Sequence, residues 1–163
     1  SAALGACHEG AAIEGLCLTK EKPSDAPSSY TTFFHTTSSA QPPLENPGIL
    51  YWNLSIGNNI TYPSAMRFSI DVTSNVALPI FMPGNSSYTA VNFADDGCMY
   101  IPKSVDDTVS PPGYFSPPKK LTEWYVCLTR YGYLYQTLVW KIGVQGKPQN
   151  PSCQKVEVYR KFN

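Results

Sequence analysis

Met66-Arg67-Phe68-Ser69-Ile70-Asp71-Val72-Thr73 alternates apolar and polar side chains at every step. A period of two puts Met66, Phe68, Ile70 and Val72 on one face and Arg67, Ser69, Asp71 and Thr73 on the other. That is the pattern of a half-buried β-strand. The same period governs the preceding stretch. Leu50, Trp52, Leu54 and Ile56 share one face, Tyr51, Asn53 and Ser55 share the other, and Gly57-Asn58-Asn59 makes a turn. On the far side, residues 76–82 form an apolar run. Pro79 inside it predicts an edge position or a bulge, since proline has no N–H for the ladder.

Further outward the pattern continues in short pieces. Residues 30–36 carry β-branched and aromatic side chains and predict a first strand, and three prolines then end regular structure before Gly48. Pro83-Gly84-Asn85 turns the chain into residues 88–93. Asp95-Asp96-Gly97 predicts a hairpin turn into Cys98-Met99-Tyr100-Ile101. Residues 103–120, with four prolines, read as a long loop. Residues 121–130 and 133–142 predict a hairpin about Tyr131-Gly132, and residues 153–162 a final strand. Residues 11–18 could form a turn or two of helix, but Gly15 breaks it.

About eight short antiparallel strands predict an all-β fold, a compact β-barrel or a two-layer β-sandwich, stabilised by disulfides. Residues 1–29 read as an N-terminal arm with a small disulfide loop. Residues 30–163 read as a single β domain.

Composition narrows the function classes. The 163 residues hold 12 Lys+Arg and 12 Asp+Glu, so the formal net charge is zero and no basic stripe is available to neutralise nucleic-acid phosphates. Only 15% of residues are charged and 13% are aromatic, which is unlike a disordered segment. No apolar run reaches the roughly 18 residues of a membrane-spanning helix. Ser1-Ala2-Ala3-Leu4-Gly5-Ala6-Cys7 has neither a basic region nor a long apolar one, and reads as a mature N-terminus whose signal has been removed.

Cys7, Cys17, Cys98, Cys127 and Cys153 fit no zinc spacing, and His8 and His35 are the only histidines. Structural disulfides in a secreted, extracellular protein are the expected use. Cys7 is expected to pair with Cys17 across a glycine-rich loop. Cys98 and Cys153 each follow a turn and are expected to pair, leaving Cys127 free or intermolecular. Three sequons, at Asn53, Asn59 and Asn85, are candidate glycosylation sites, whereas Pro151 disqualifies Asn150.

Neither histidine lies in a recognisable nucleophile motif. The carboxylates Asp71, Asp95, Asp96, Asp106, Asp107 and Glu123 are accounted for by strand surface, turn chemistry or loop. No catalytic residue, cofactor or metal is therefore expected, and an undetected hydrolase is the remotest reading. Trp52 and Trp140 fall on apolar faces and are expected in the core. Tyr125, Tyr133 and Tyr135 lie opposite the apolar faces of their strands and are candidates for a contact surface. A homodimer through this hairpin is one such contact.

Trp140-Lys141-Ile142-Gly143 and Gly146-Lys147-Pro148-Gln149-Asn150-Pro151-Ser152-Cys153-Gln154-Lys155-Val156-Glu157-Val158 resemble a group of small secreted proteins of filamentous fungi. Cys98, Cys127 and Tyr125 belong to the same pattern, which covers roughly the last 65 residues. Members, including one from Trichoderma, are discussed as effector-like proteins at the interface with plants. The resemblance implies secretion and a β fold and carries over no catalytic residue. The expected function is a secreted, non-enzymatic interaction protein, effector-like or at the fungal cell surface, with a host protein as partner. The alternative is a binder of fungal or plant cell-wall glycan.

Overall fold

The computed structural model describes residues 1–37 and 47–162. Among these residues the chain is all-β, with twelve strands and no helix. They are β1 (Leu4–Gly10), β2 (Ile13–Leu18), β3 (Phe34–Thr36), β4 (Ile49–Ser55), β5 (Thr61–Ile70), β6 (Val76–Pro83), β7 (Asn92–Phe93), β8 (Met99–Asp106), β9 (Gly113–Leu121), β10 (Trp124–Arg130), β11 (Leu134–Lys141) and β12 (Gln154–Lys155).

Nine strands form one antiparallel sheet in the order β12-β10-β11-β2-β6-β5-β4-β3, with β1 paired to β2. β7, β8 and β9 form a second, three-stranded sheet. The sheets do not close into a barrel and fit a sandwich-like arrangement. Apolar side chains from one face of the large sheet make the core: Leu16, Trp52, Met66, Phe81, Trp124, Leu138 and Trp140, with Val91 and Met99 from the other side. The indole N–H of Trp124 donates to the Met99 carbonyl at 2.9 Å and ties the two sheets together. Trp124 and Trp140 meet edge to face, centroids 4.8 Å apart.

Local chemistry sets the strand limits. The turn between β4 and β5 places Gly57, Asn58 and Asn59 at positive φ, where only glycine and asparagine settle cheaply. The alternation at Met66 does mark a strand, but β5 starts earlier and stops at Ile70. Asp71 accepts from the Thr73 amide at 2.8 Å and turns the chain, so Val72 is 96% exposed. Pro79 is not at an edge. The free side of β6 pairs first with β11, at Val76 and Ala77, and then with β2, at Ile80 and Phe81. Pro79 stands where the neighbour changes, and no ladder bond is asked of it on that side.

The N-terminal segment departs most from expectation. Residues 4–18 are neither an arm nor helical turns. They are a hairpin whose second strand enters the fork between β6 and β11. The expected loop at 103–120 is a second hairpin, β8–β9. Of the strand expected at 30–36 only β3 forms. The expected final strand is β12 plus one bridge between Cys98 and Tyr159.

Cys7 is bonded to Cys17, as expected. The second disulfide is Cys127–Cys153, which overturns the pairing of Cys98 with Cys153 and the free Cys127. Register explains it. Tyr125 faces Lys155 and Val126 faces Gln154, so the next step along the ladder brings Cys153 to Cys127. Cys98 precedes β8 of the other sheet, bridges to Tyr159 and carries no disulfide. Partial burial, then Asp96 and Glu157, push its thiol up. No helix is long and apolar enough to cross a membrane among the described residues, and this with two disulfides is compatible with an extracellular protein.

Candidate functional site

A cleft of about 700 Å³ opens between the N-terminal hairpin, the segment before β3 and the end of β4. Trp52 builds its wall. The buried ring donates its indole N–H to the Ser29 carbonyl at 2.7 Å and holds the 29–32 segment beside β4. The Ala6 amide donates to the Tyr30 carbonyl at 2.8 Å and fixes the same segment to β1. The Tyr30 ring is left 62% exposed. Phe34 stacks on Tyr51 at 5.2 Å and is also exposed. Ser29, Thr32, Asn53, Ser55, Asn59 and Thr61 add neutral hydrogen-bonding groups to the lining.

The charged part of the lining is one pair. His8 and Glu14 face each other across the β1–β2 ladder, with Nδ1 3.4 Å from Oε1. Burial raises the Glu14 carboxyl above its ordinary value, against the hydrogen bond and charge of His8, which lower it. The other imidazole is elsewhere. His35 lies with Nε2 3.0 Å from the Val91 carbonyl and against the Phe93 ring, and burial lowers its basicity. A hydrolase of the nucleophile–imidazole type needs a hydroxyl or thiol on its base; the contacts of His8 and His35 are with a carboxylate, a carbonyl and rings.

Glu9 is the most consequential residue that sequence reasoning missed. It is 3% exposed, and its Oε2 accepts from the Gly132 and Tyr133 amides, each at 2.9 Å. Its Oε1 has no hydrogen-bond partner. Cys7, Glu9 and Cys17 bring three ligand-type atoms within 4.8 Å of one another. The two sulfurs are bonded to each other, however, and a disulfide offers a metal no thiolate. This group is a structural clasp between the hairpin and the β10–β11 turn.

The three candidate contact tyrosines are not brought together. Tyr125 packs with Val76, Cys127 and Val139 under the Lys155 ammonium, 4.9 Å from its ring. Tyr133 and Tyr135 do pair, at 6.3 Å, and Tyr133 also lies 5.7 Å from His8. Around that turn Leu128, Tyr131, Tyr133 and Leu134 are exposed. Trp52 and Trp140 are buried, as expected. Among the sequons, Asn59 and Asn85 are exposed in turns. Asn53 is half-buried within β4 and borders the cleft. Tyr30, Phe34 and Glu14 carried no motif. The legible signal was a His and a Glu six residues apart about Ala11-Ala12, a spacing that a hairpin turns into a cross-strand pair.

No curated protein and no solved structure matches this chain. A family profile does match it, over residues 1–162, and the chain belongs to that family, the Domain of unknown function (DUF7907).

Proposed function

We propose that this is a secreted, non-enzymatic interaction protein that works by binding a neutral, hydroxyl-rich glycan in the cleft beside β4. The lining carries the reading. Two exposed rings, Tyr30 and Phe34, stand among hydroxyl and amide side chains, with a single carboxylate already facing an imidazole. Flat rings take the apolar faces of sugars, and neutral hydrogen-bonding groups take the hydroxyls. A zero net charge suits an uncharged ligand. The resemblance to fungal secreted proteins supports secretion, and fungal or plant cell-wall glycan is the proposed source. Calorimetry against soluble β-glucan, chitin and xylan oligosaccharides tests the reading. Binding to one series is expected, with Tyr30→Ala weakening it by about tenfold. No binding to any series at millimolar ligand would remove the proposal.

The apolar group at the β10–β11 turn favours a second reading, contact with a protein through Leu128, Tyr131, Tyr133 and Leu134. A second copy of this chain is the simplest partner. Light scattering across concentration separates dimer from monomer.

A further inference from the structure

Three sequons lie within 35 residues, and the fold treats them unequally. Asn53 sits inside the β4–β5 ladder, directly opposite Pro63. It is half-buried, and it lines the cleft together with Ser29, Tyr30 and Thr32. A sugar on Asn53 would leave from a paired, half-buried strand residue at the cleft wall. Asn59 is different. It lies at φ 58° in a turn closed by Ile56 N–H to Ile60 O at 3.0 Å and Ile60 N–H to Gly57 O at 2.9 Å, and its side chain is exposed. Asn85 follows Gly84, whose φ is 96°, and both Asn85 and Ser87 are exposed.

From this contrast we infer that N-glycosylation is selective: Asn59 and Asn85 carry glycans, and Asn53 stays bare. The inference rests on passage through a eukaryotic secretory route, not on the ligand of the cleft. In the transfer, the Asn carboxamide nitrogen attacks the anomeric carbon of a polyprenyl-pyrophosphate-linked oligosaccharide. The N–C bond forms, the C–O bond to pyrophosphate breaks, and the amide proton passes to a base of the transferase. Nothing is oxidised or reduced. Asn59 also borders the cleft, but from an exposed turn and not from a paired strand.

The test is expression in a eukaryotic host behind an appended secretion signal, followed by amidase release in ¹⁸O-water and peptide mapping. The expected result is two mass steps removed by the amidase, with label at Asn59 and Asn85 only. Asn59→Gln and Asn85→Gln should each lose one step. Asn53→Gln should leave both amidase-sensitive mass steps and the secreted yield unchanged, which also shows that the variant folds. Label at Asn53 in the secreted protein, or its absence from either of the other two, would overturn the inference. The appended signal keeps this outcome separate from the secretory reading, which fails instead if the native producer does not release the chain.

Discussion

The β1–β2 and β8–β9 hairpins are the same element in two different situations. In the first, Leu4 and Ala6 pack on the core, Leu16 and Cys17 are buried, and the β-strand backbone is met by other parts of the chain. Gly132 comes so close that a Cβ there would lie 1.9 Å from the Glu9 carbonyl oxygen. In the second, only the base, at Met99, Tyr100, Ile101 and Leu121, reaches the core. Further out Lys103 stands opposite Lys119 and Val105 opposite Tyr114, with Tyr114 84% exposed. Backbone pairing is common to both. The N-terminal hairpin becomes part of the large sheet through buried side chains, one staple and one clasping carboxylate.

This contrast can be broken experimentally. The largest effect is expected from removing the staple: Cys7→Ala with Cys17→Ala should cost about 3 kcal/mol in denaturant unfolding, by the entropy of a short closed loop. A loss no larger than that of a surface substitution would mean that packing alone holds the hairpin. Next, Glu9→Ala strands two backbone amides and should cost about 2 kcal/mol by the same measurement. An unchanged midpoint would show that water replaces the clasp.

Acid titration sharpens the comparison, because the two hairpins respond with opposite sign. The Glu14 carboxyl is raised by burial, so its contribution is fully present below the ordinary value of 4.5 and is lost as pH rises through the folded value. Asp106 and Asp107 are lowered, chiefly by side-chain hydrogen bonds to Thr108 and Lys103, so theirs is present above 3.8 and is lost as pH falls below it. Glu14→Gln should therefore stabilise the protein relative to wild type at pH 7 and not at pH 4. Melting curves at the two pH values measure it, and an equal difference at both would refute the burial argument. The smallest effect belongs to the ribbon: Tyr114→Ser should move stability by no more than about 0.5 kcal/mol. A loss comparable to that of Glu9→Ala would erase the distinction between the hairpins.

What was legible in the sequence was what repeats locally. The period of two at Leu50, the Asp96-Gly97 turn and the Tyr131-Gly132 hairpin hold in the structure, and the period at Met66 holds as far as Phe68, beyond which Ile70 and Val72 are exposed. The N-terminal hairpin was illegible because its glycines look like a linker. They serve close approach instead: a Cβ on Gly5 would lie 2.5 Å from the Thr19 methyl, and one on Gly15 3.0 Å from the Cys7 sulfur. Prolines hid the ribbon, since Pro117 and Pro118 lie within β9. The cleft was hidden for another reason. Its lining comes from segments around residues 8, 30 and 55, and only the tertiary fold brings them together. The Cys127–Cys153 bond likewise depends on a two-residue strand that no pattern announces.

The fork that receives β2 also imposes an order in time. Strand β2 ends at Leu18, while its two neighbours lie at Val76–Pro83 and Leu134–Lys141. The β1–β2 pairs are local and can close as soon as the hairpin has been synthesised. The edge that meets β11 waits until about 120 further residues exist, and contacts of such separation slow folding. During synthesis the finished hairpin therefore carries an unpaired edge that could add to a neighbouring chain. Glu9 and the glycine-lined strands, both poor partners for an intermolecular sheet, sit on that hairpin.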